Sequence, residues 1–111
     1  MKRQRVFSET ARDVAALLGA QVRQGRIERG WTVVGLAERA GVNKNTVVKV
    51  EHGDPTVALG IALDVAVLVG VPLFFGDRAR LGSERRRAQE HVTLLAQRVR
   101  PAAEPEPDYD F

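Results

Sequence analysis

Three side chains near the middle of the sequence carry groups that can hydrogen-bond to nucleic-acid bases and phosphates. Lys44, Asn45 and Lys49 lie close together in the chain. An asparagine amide can form two hydrogen bonds to adenine, and a lysine ammonium can reach guanine or a phosphate. If the segment is helical, Asn45 and Lys49 share one face because they are four residues apart. The pattern therefore predicts a polar helix face that binds DNA.

Other kinds of chemistry find little support in the sequence. The chain has no cysteine and only two histidines, His52 and His91, so neither a metal site nor thiol catalysis is expected. Its two serines, Ser8 and Ser83, both fit helix caps, and there is no glycine-rich phosphate loop. We therefore expect no catalytic residue and no cofactor, and a binding protein rather than an enzyme.

The charge distribution also favours an anionic partner. The chain has 17 lysines and arginines and 14 acidic residues, which gives a net charge of +3. The last eleven residues hold four acids and no base, so the remainder of the chain carries +7. Such a body favours nucleic acid, although a solvated arginine-rich surface would have the same composition. With no apolar run of about 18 residues and no secretory signal, a cytoplasmic protein without membrane contact is expected.

Helical spacing, N-caps and glycine stop signals predict an all-α chain. The first helix covers about 10–29, with Thr10 and Asp13 as a capping box and Val14, Leu18 and Val22 on one face. The later helices are predicted between Thr32 and Gly41, over 44–52 after the N-cap Asn43, over 55–69, and over about 83–98. Residues 71–75 are expected to form an apolar turn or a short helix.

Residues 33–52 have small residues where two successive helices would have to cross. Ala37 falls at the crossing and Gly41 in the turn, where a positive φ is expected. The predicted core of this unit is Leu36, Ala37, Gly41, Val42, Val47 and Val50. This is the helix-turn-helix pattern, whose second helix enters the DNA major groove. An ordinary helical hairpin is the alternative.

The stretch from Leu18 to Val71 resembles the Xre family of helix-turn-helix domains, which includes the Cro-type phage repressors. The matching segments are LGAQVRQGRIERG, LAERAGV, NKNTVVKVEHG and the final LDVAVLVGV. The resemblance implies a five-helix bundle that binds a pseudo-palindromic operator as a homodimer. The residues themselves add an extra C-terminal helix and, from the prolines and clustered acids of 101–111, a disordered acidic tail.

The resemblance also implies roles for individual residues. Arg26 matches an arginine that pairs with a glutamate late in the recognition helix, here Glu51. Lys44, Asn45 and Lys49 match positions that meet base edges or phosphates, and Asn43 and Thr46 match positions that touch the DNA backbone. We add Thr32, Arg23 and His52 as candidate DNA contacts. Two residues depart from the family pattern: Val33 cannot make the phosphate hydrogen bond of a glutamine, and Gly35 replaces the acid of a capping box.

Four parts of the chain follow from this interpretation. They are a basic arm at 1–9, the helix-turn-helix domain at 10–76, a C-terminal helix at 77–100 and a disordered acidic tail at 101–111. From Val57 to Val71 only Asp64 is charged, so the fourth helix must be covered on several sides, either by its own core or by another subunit. Together with the apolar stripe Ala88, Val92, Leu95 and Val99, this favours dimerisation through the C-terminal helix.

Within the family, the chain looks most like HipB-type antitoxins. The features behind this are its size, the segment GDPTVALGIALDVAVLVGVPLF and the acidic tail ending in aspartate and phenylalanine. The resemblance implies a repressor of its own operon that binds a HipA-like kinase toxin. The alternative is a stand-alone transcriptional regulator of phage or cellular type. Tyr109 and Phe111 in the tail suit docking to a partner. Two alternatives are an inert tail and a tail that folds back on the basic body and weakens non-specific DNA binding.

Overall fold

The computed structural model describes residues 6–74 and 76–99, and its regular structure there is helical. The elements are α1 (Glu9–Glu28), α2 (Val33–Ala40), α3 (Lys44–Glu51), α4 (Leu59–Leu68) and α5 (Arg78–Val99). The described ranges contain five helices and no strand, which confirms the all-α prediction. The predicted acidic tail at 101–111 and the first five residues of the basic arm lie outside the described residues.

The chain divides into two compact units, Met1–Leu73 and Phe74–Phe111. The first unit contains α1 to α4 and the hydrophobic core. The second unit contains α5, in which no described residue is buried.

The core of the first unit is small and almost entirely aliphatic. Every one of its first four helices contributes to it. The buried residues are Val22, Leu36, Ala37, Val47, Val50, Val65, Ala66, Val69 and Val71. Leu18 packs against this core, but Val14 is 61% exposed, contrary to the prediction. At 3.6 residues per turn, a step of four residues overshoots one turn, so Val14 lies about 80° around the helix from Val22.

Three glycines allow backbones to come closer than a side chain would permit. A Cβ on Gly19 would collide with the carbonyl oxygen of Val50, and a Cβ on Gly25 would collide with that of Val69. A Cβ on Gly53 would lie 2.7 Å from the Cα of Ala16. These contacts place α1 directly against the end of α3 and the end of α4. They fix the position of α3 relative to α1.

The predicted helix ends are confirmed more closely than the predicted starts. Ser8 caps α1, as predicted, because its hydroxyl oxygen accepts a hydrogen bond from the backbone N–H of Ala11 at 3.1 Å. The predicted cap at Thr10 is wrong, since Thr10 lies inside the helix. Thr32 and Asn43 are the N-caps of α2 and α3, as predicted. Gly30 and Gly41 follow the ends of α1 and α2 with positive φ, which agrees with their predicted stop role.

The last two helices start elsewhere than predicted. Residues 55–58 are not helical, because the Asp54 carboxylate accepts hydrogen bonds from the backbone N–H and the hydroxyl of Thr56 and closes a turn there. The turn delays α4 to Leu59. Helix α5 begins at Arg78, where the Asp77 carboxylate accepts the N–H of Ala79 at 2.9 Å. Ser83 therefore lies inside α5 and is not a cap.

The segment after α4 contains no helix in its described part. Residues 71–74 form no regular element, and Phe74 has a positive φ of 56°. Of the two alternatives for residues 71–75, the turn is therefore found over 71–74.

Candidate nucleic-acid interface

The turn between α2 and α3 is closed by backbone hydrogen bonds. The N–H of Val42 donates to the carbonyl of Ala37 at 3.0 Å, and that of Gly41 donates to Glu38 at 3.3 Å. This pairing is a Schellman motif and needs a left-handed residue at Gly41, whose φ is 68°. A Cβ at Gly41 would meet nothing within 4 Å, so the requirement for glycine is conformational and not steric.

The predicted core of the two-helix unit is confirmed. Leu36 and Val47 are fully buried, and Ala37 and Val50 are each 4% exposed. Val42 in the turn packs against them. Gly41, the remaining residue of the predicted core, is exposed. It contributes to the unit through its backbone conformation and not through burial. The small Ala37 side chain at this position lets α2 and α3 pack on one another.

An ion pair fixes the end of α3 to α1, as predicted. The Arg26 guanidinium donates from Nε to Glu51 Oε2 at 2.6 Å and from Nη2 to Oε1 at 3.0 Å. Its Nη1 donates to the carbonyl of Trp31 at 3.0 Å, so one side chain joins α1, α3 and the residue before the N-cap of α2. Both side chains are nearly buried, at 13% and 6% exposed. The hydrogen bond to Glu51 raises the pKa of Arg26, so the guanidinium stays charged.

The polar face of α3 points to solvent. Asn45, Lys49 and His52 are exposed, and their spacing of four and three residues places them on one stripe opposite the buried Val47 and Val50. Lys44 is exposed at the side of this stripe. The structure therefore brings the predicted base-contacting residues onto one surface.

Val48 also lies on this outer side, and the sequence reasoning missed it. Its spacing from Asn45 and His52, three and four residues, puts it beside them, and it is only half-buried. An apolar side chain at such a place can contact a thymine methyl group. The sequence does contain a sign of this. Three valines, Val47, Val48 and Val50, lie within four residues, and one buried helix face cannot hold all of them.

The remaining candidate contacts are more dispersed. Asn43 is exposed, and its Oδ1 accepts the N–H of Asn45 at 2.7 Å, so only its amide N–H groups are available to a phosphate. Thr46 is half-buried. Thr32 is exposed at the start of α2 and accepts the N–H of Gly35 at 2.9 Å, and Arg23 is exposed on α1.

The comparison with known families agrees with this geometry. A family model described as a helix-turn-helix domain matches residues 17–81, more than half of the chain. The chain belongs to this helix-turn-helix family. The family falls in the Xre/Cro-like class, and its domain indicates a DNA-binding regulator. No curated protein and no solved structure gives a significant match.

The helix-turn-helix domain departs from the family pattern at the start of α2, and the structure explains how it tolerates this. Val33 turns toward the core and packs against it instead of facing a phosphate. Thr32 still caps the helix, because its hydroxyl oxygen accepts a hydrogen bond from the N–H of Gly35. Since Gly35 has no side chain, the Thr32 hydroxyl stays exposed. The second helix thus retains its cap without the usual acid.

Trp31 packs against the domain core, and its ring also stacks with two arginine side chains. The Arg39 guanidinium carbon lies 4.2 Å from the centre of the ring, and that of Arg29 lies 5.8 Å from it. The sequence reasoning did not predict this arrangement, because Arg29 and Arg39 flank Trp31 at distances of two and eight residues, a spacing with no regular period. The stack keeps two positive charges close to the start of α2.

Residues 6–74 and 76–99 contain no group of three or more histidine, cysteine, aspartate or glutamate side chains that could hold a metal ion. None of the helices found there is long and apolar enough to cross a membrane.

Proposed function

We propose that this protein is a sequence-specific transcriptional repressor, with no enzymatic activity, that reads its operator through α3. The observation that carries the proposal is the exposed stripe of Asn45, Lys49 and His52 on a short helix whose opposite side is buried. A helix with one rigidly held side and one polar exposed side is what the major groove admits. We therefore refer to α3 as the recognition helix.

The chemistry of the stripe supports direct base readout. The Asn45 amide carries a donor and an acceptor, the pair that adenine N7 and N6 require. Lys49 and Lys44 can donate to guanine or to phosphates, and the Val48 methyl groups suit a thymine. The Asn43 amide, Thr32, Thr46, Arg23 and His52 then serve as backbone contacts that set the register of the domain on the duplex.

A selection of DNA sequences from a random library tests this function, followed by gel shifts on the selected DNA and on the DNA upstream of the protein's own gene. We expect Asn45→Ala to cost about 1–3 kcal/mol on the selected site and to relax selectivity at one base pair. Gln97→Ala, an exposed amide on α5, is the matched control and should bind normally. A library that yields no preferred sequence would contradict the proposal.

We propose further that the repressor acts as a homodimer on a pseudo-palindromic operator. Two recognition helices then have to sit about 34 Å apart to reach successive major grooves. Support comes from the exposed apolar side chains of α5, among them Val92 at 63% and Leu95 at 43%. Changing both to aspartate should give monomers with weaker operator binding, as seen by sedimentation. A wild-type chain that is monomeric at tens of micromolar would contradict the dimer.

We also propose that the repressor is the antitoxin of a type II pair with a HipA-like kinase, acting in the cytoplasm on its own operon. In its support, the α4 segment on which the resemblance rests leaves Leu59 73% exposed and Val67 62% exposed, an apolar surface available to a partner. Co-expression with the product of the adjacent gene tests it: a co-purifying kinase that inhibits growth alone supports the antitoxin role. If the adjacent gene encodes no kinase, the stand-alone regulator is the function.

A further inference from the structure

The spacing of residues along α5 is that of a coiled-coil seam. Leu81, Arg85, Ala88, Val92, Leu95 and Val99 follow one another at alternating steps of four and three residues. This alternation is the heptad a/d repeat, which keeps one face toward a partner helix over the full length. We call these six positions the α5 seam. None of them is buried, and Leu81, Leu95 and Val99 are 41%, 43% and 73% exposed.

We propose that the α5 seam pairs with the α5 seam of a second copy of this chain in the antiparallel direction. This inference rests on the homodimer proposed above and assigns its interface, orientation and register. The steps along the seam are the same in both directions, so reversing one helix leaves every seam position facing another. Leu81 then faces Val99 of the second copy, and the small Ala88 faces the larger Val92 of the second copy.

Charges beside the seam select the antiparallel direction. Glu84 and Arg98 each directly precede a seam residue, and in an antiparallel coiled coil these flanking positions face one another across the interface. Glu84 of each copy therefore meets Arg98 of the other, which gives two opposite-charge pairs. In a parallel pair, Glu84 would instead face the neutral Gln89 of the second copy.

The position of Arg85 also favours antiparallel pairing. In a parallel pair the two Arg85 side chains would meet at the seam with like charges in contact. In the antiparallel pair Arg85 faces Leu95 of the second copy, and its aliphatic stem can pack there. The structure already turns its guanidinium aside, because Nη1 donates to Oε1 of Gln89 at 3.3 Å at the edge of the seam. This arrangement leaves the stem at the interface and the charge in solvent.

Disulfide trapping tests the direction, since the chain has no cysteine of its own. Leu81→Cys and Val99→Cys chains are mixed in equal amounts in a glutathione buffer, and the disulfide-linked dimers are identified by mass spectrometry. The antiparallel pair predicts that the mixed Leu81→Cys/Val99→Cys disulfide predominates, because equivalent positions lie about 27 Å apart along the axis. Leu94→Cys, on the outer side of α5, is the control for random collisions. Predominance of either self-disulfide, or yields no higher than those of the control, would overturn the proposal.

A charge-swap cycle tests the register independently. Glu84→Arg and Arg98→Glu should each weaken dimerisation roughly tenfold, and the double variant should restore it, because the opposite charges face one another again. Glu90→Arg and Arg86→Glu make the same charge changes on the outer side and should leave the dimer unchanged. Single variants that behave like these controls, or a double variant that is weaker than both singles, would contradict the pairing.

These measurements are made without DNA, so they fail or succeed separately from the proposed function. If the mixed disulfide forms but operator specificity is absent, base readout by α3 is refuted and the antiparallel seam is still supported. Normal operator binding with self-disulfides only would refute the antiparallel seam and leave the repressor function standing.

Discussion

The Arg26–Glu51 ion pair holds the recognition helix to the domain, so its removal should be costly. In Glu51→Ala, the Arg26 guanidinium keeps its bond to the Trp31 carbonyl but loses both bonds to the carboxylate. Removing one partner of a buried pair costs about 3–5 kcal/mol. Because Arg26 retains 13% exposure and one backbone partner, we expect the low end, about 3 kcal/mol.

The matched control is a more exposed pair of the same chain. Arg87 and Glu84 approach to 3.7 Å, and their side chains are 80% and 33% exposed. Breaking this pair with Arg87→Ala should cost less than about 1 kcal/mol. A double variant, Arg26→Met with Glu51→Leu, should recover most of the loss, because two apolar side chains of similar size leave no unpaired charge.

Urea unfolding followed by circular dichroism measures the effect. With an m-value of about 1.5 kcal/mol/M, a loss of about 3 kcal/mol lowers the midpoint by about 2 M. Under conditions where the variants remain folded, Glu51→Ala should also bind the operator more weakly, since the end of α3 loses its attachment to α1. If Glu51→Ala shifted the midpoint no more than Arg87→Ala, the ion pair would not hold the recognition helix in place.

Three other predictions concern separate parts of the first unit. Lys49→Ala should weaken binding to all DNA sequences if this side chain reaches a phosphate, and gel shifts at several salt concentrations should show a slope smaller by about 1. Gly19→Ala should destabilise the fold by about 1–3 kcal/mol because its Cβ would strike the backbone of α3, whereas Gly60→Ala, in open space, should stabilise it slightly in the same urea titration. The hydrogen bonds from Thr56 lower the pKa of Asp54 below its ordinary 3.8, so their stabilisation is complete above that pH and lost as the pH falls through the lowered value. Melting curves should therefore show that Thr56→Val costs stability at pH 7 and less at pH 2.

The parts of the fold that the sequence predicted well are those controlled by local backbone chemistry. Thr32 and Asn43 act as caps through hydrogen bonds to residues two or three positions away, and Gly41 acts through its own φ. Each of these effects is readable from a few neighbouring residues. The Arg26–Glu51 pair spans 25 residues and was expected from the family resemblance alone.

The errors arose where a nearby polar side chain or the helix geometry overrode a plausible signal. Pro55 and Thr56 suggested a helix start, but the Asp54 carboxylate holds Thr56 in a turn instead. Val14 fitted a four-residue repeat that drifts off the buried side over two turns. The position of Val48 on the outer side of α3 depends on which valines the core can take, which only the packing of α1 and α2 against α3 decides.

Whether the outer side of α3 reads DNA can be decided by one affinity measurement. The triple variant Lys44→Ala, Asn45→Ala and Lys49→Ala is titrated against the selected operator by fluorescence anisotropy, beside the wild type and a scrambled duplex. We expect the wild type to prefer the operator to the scrambled duplex and the triple variant, still folded, to lose this preference. A triple variant that binds the operator as tightly and as selectively as the wild type would contradict base readout by α3.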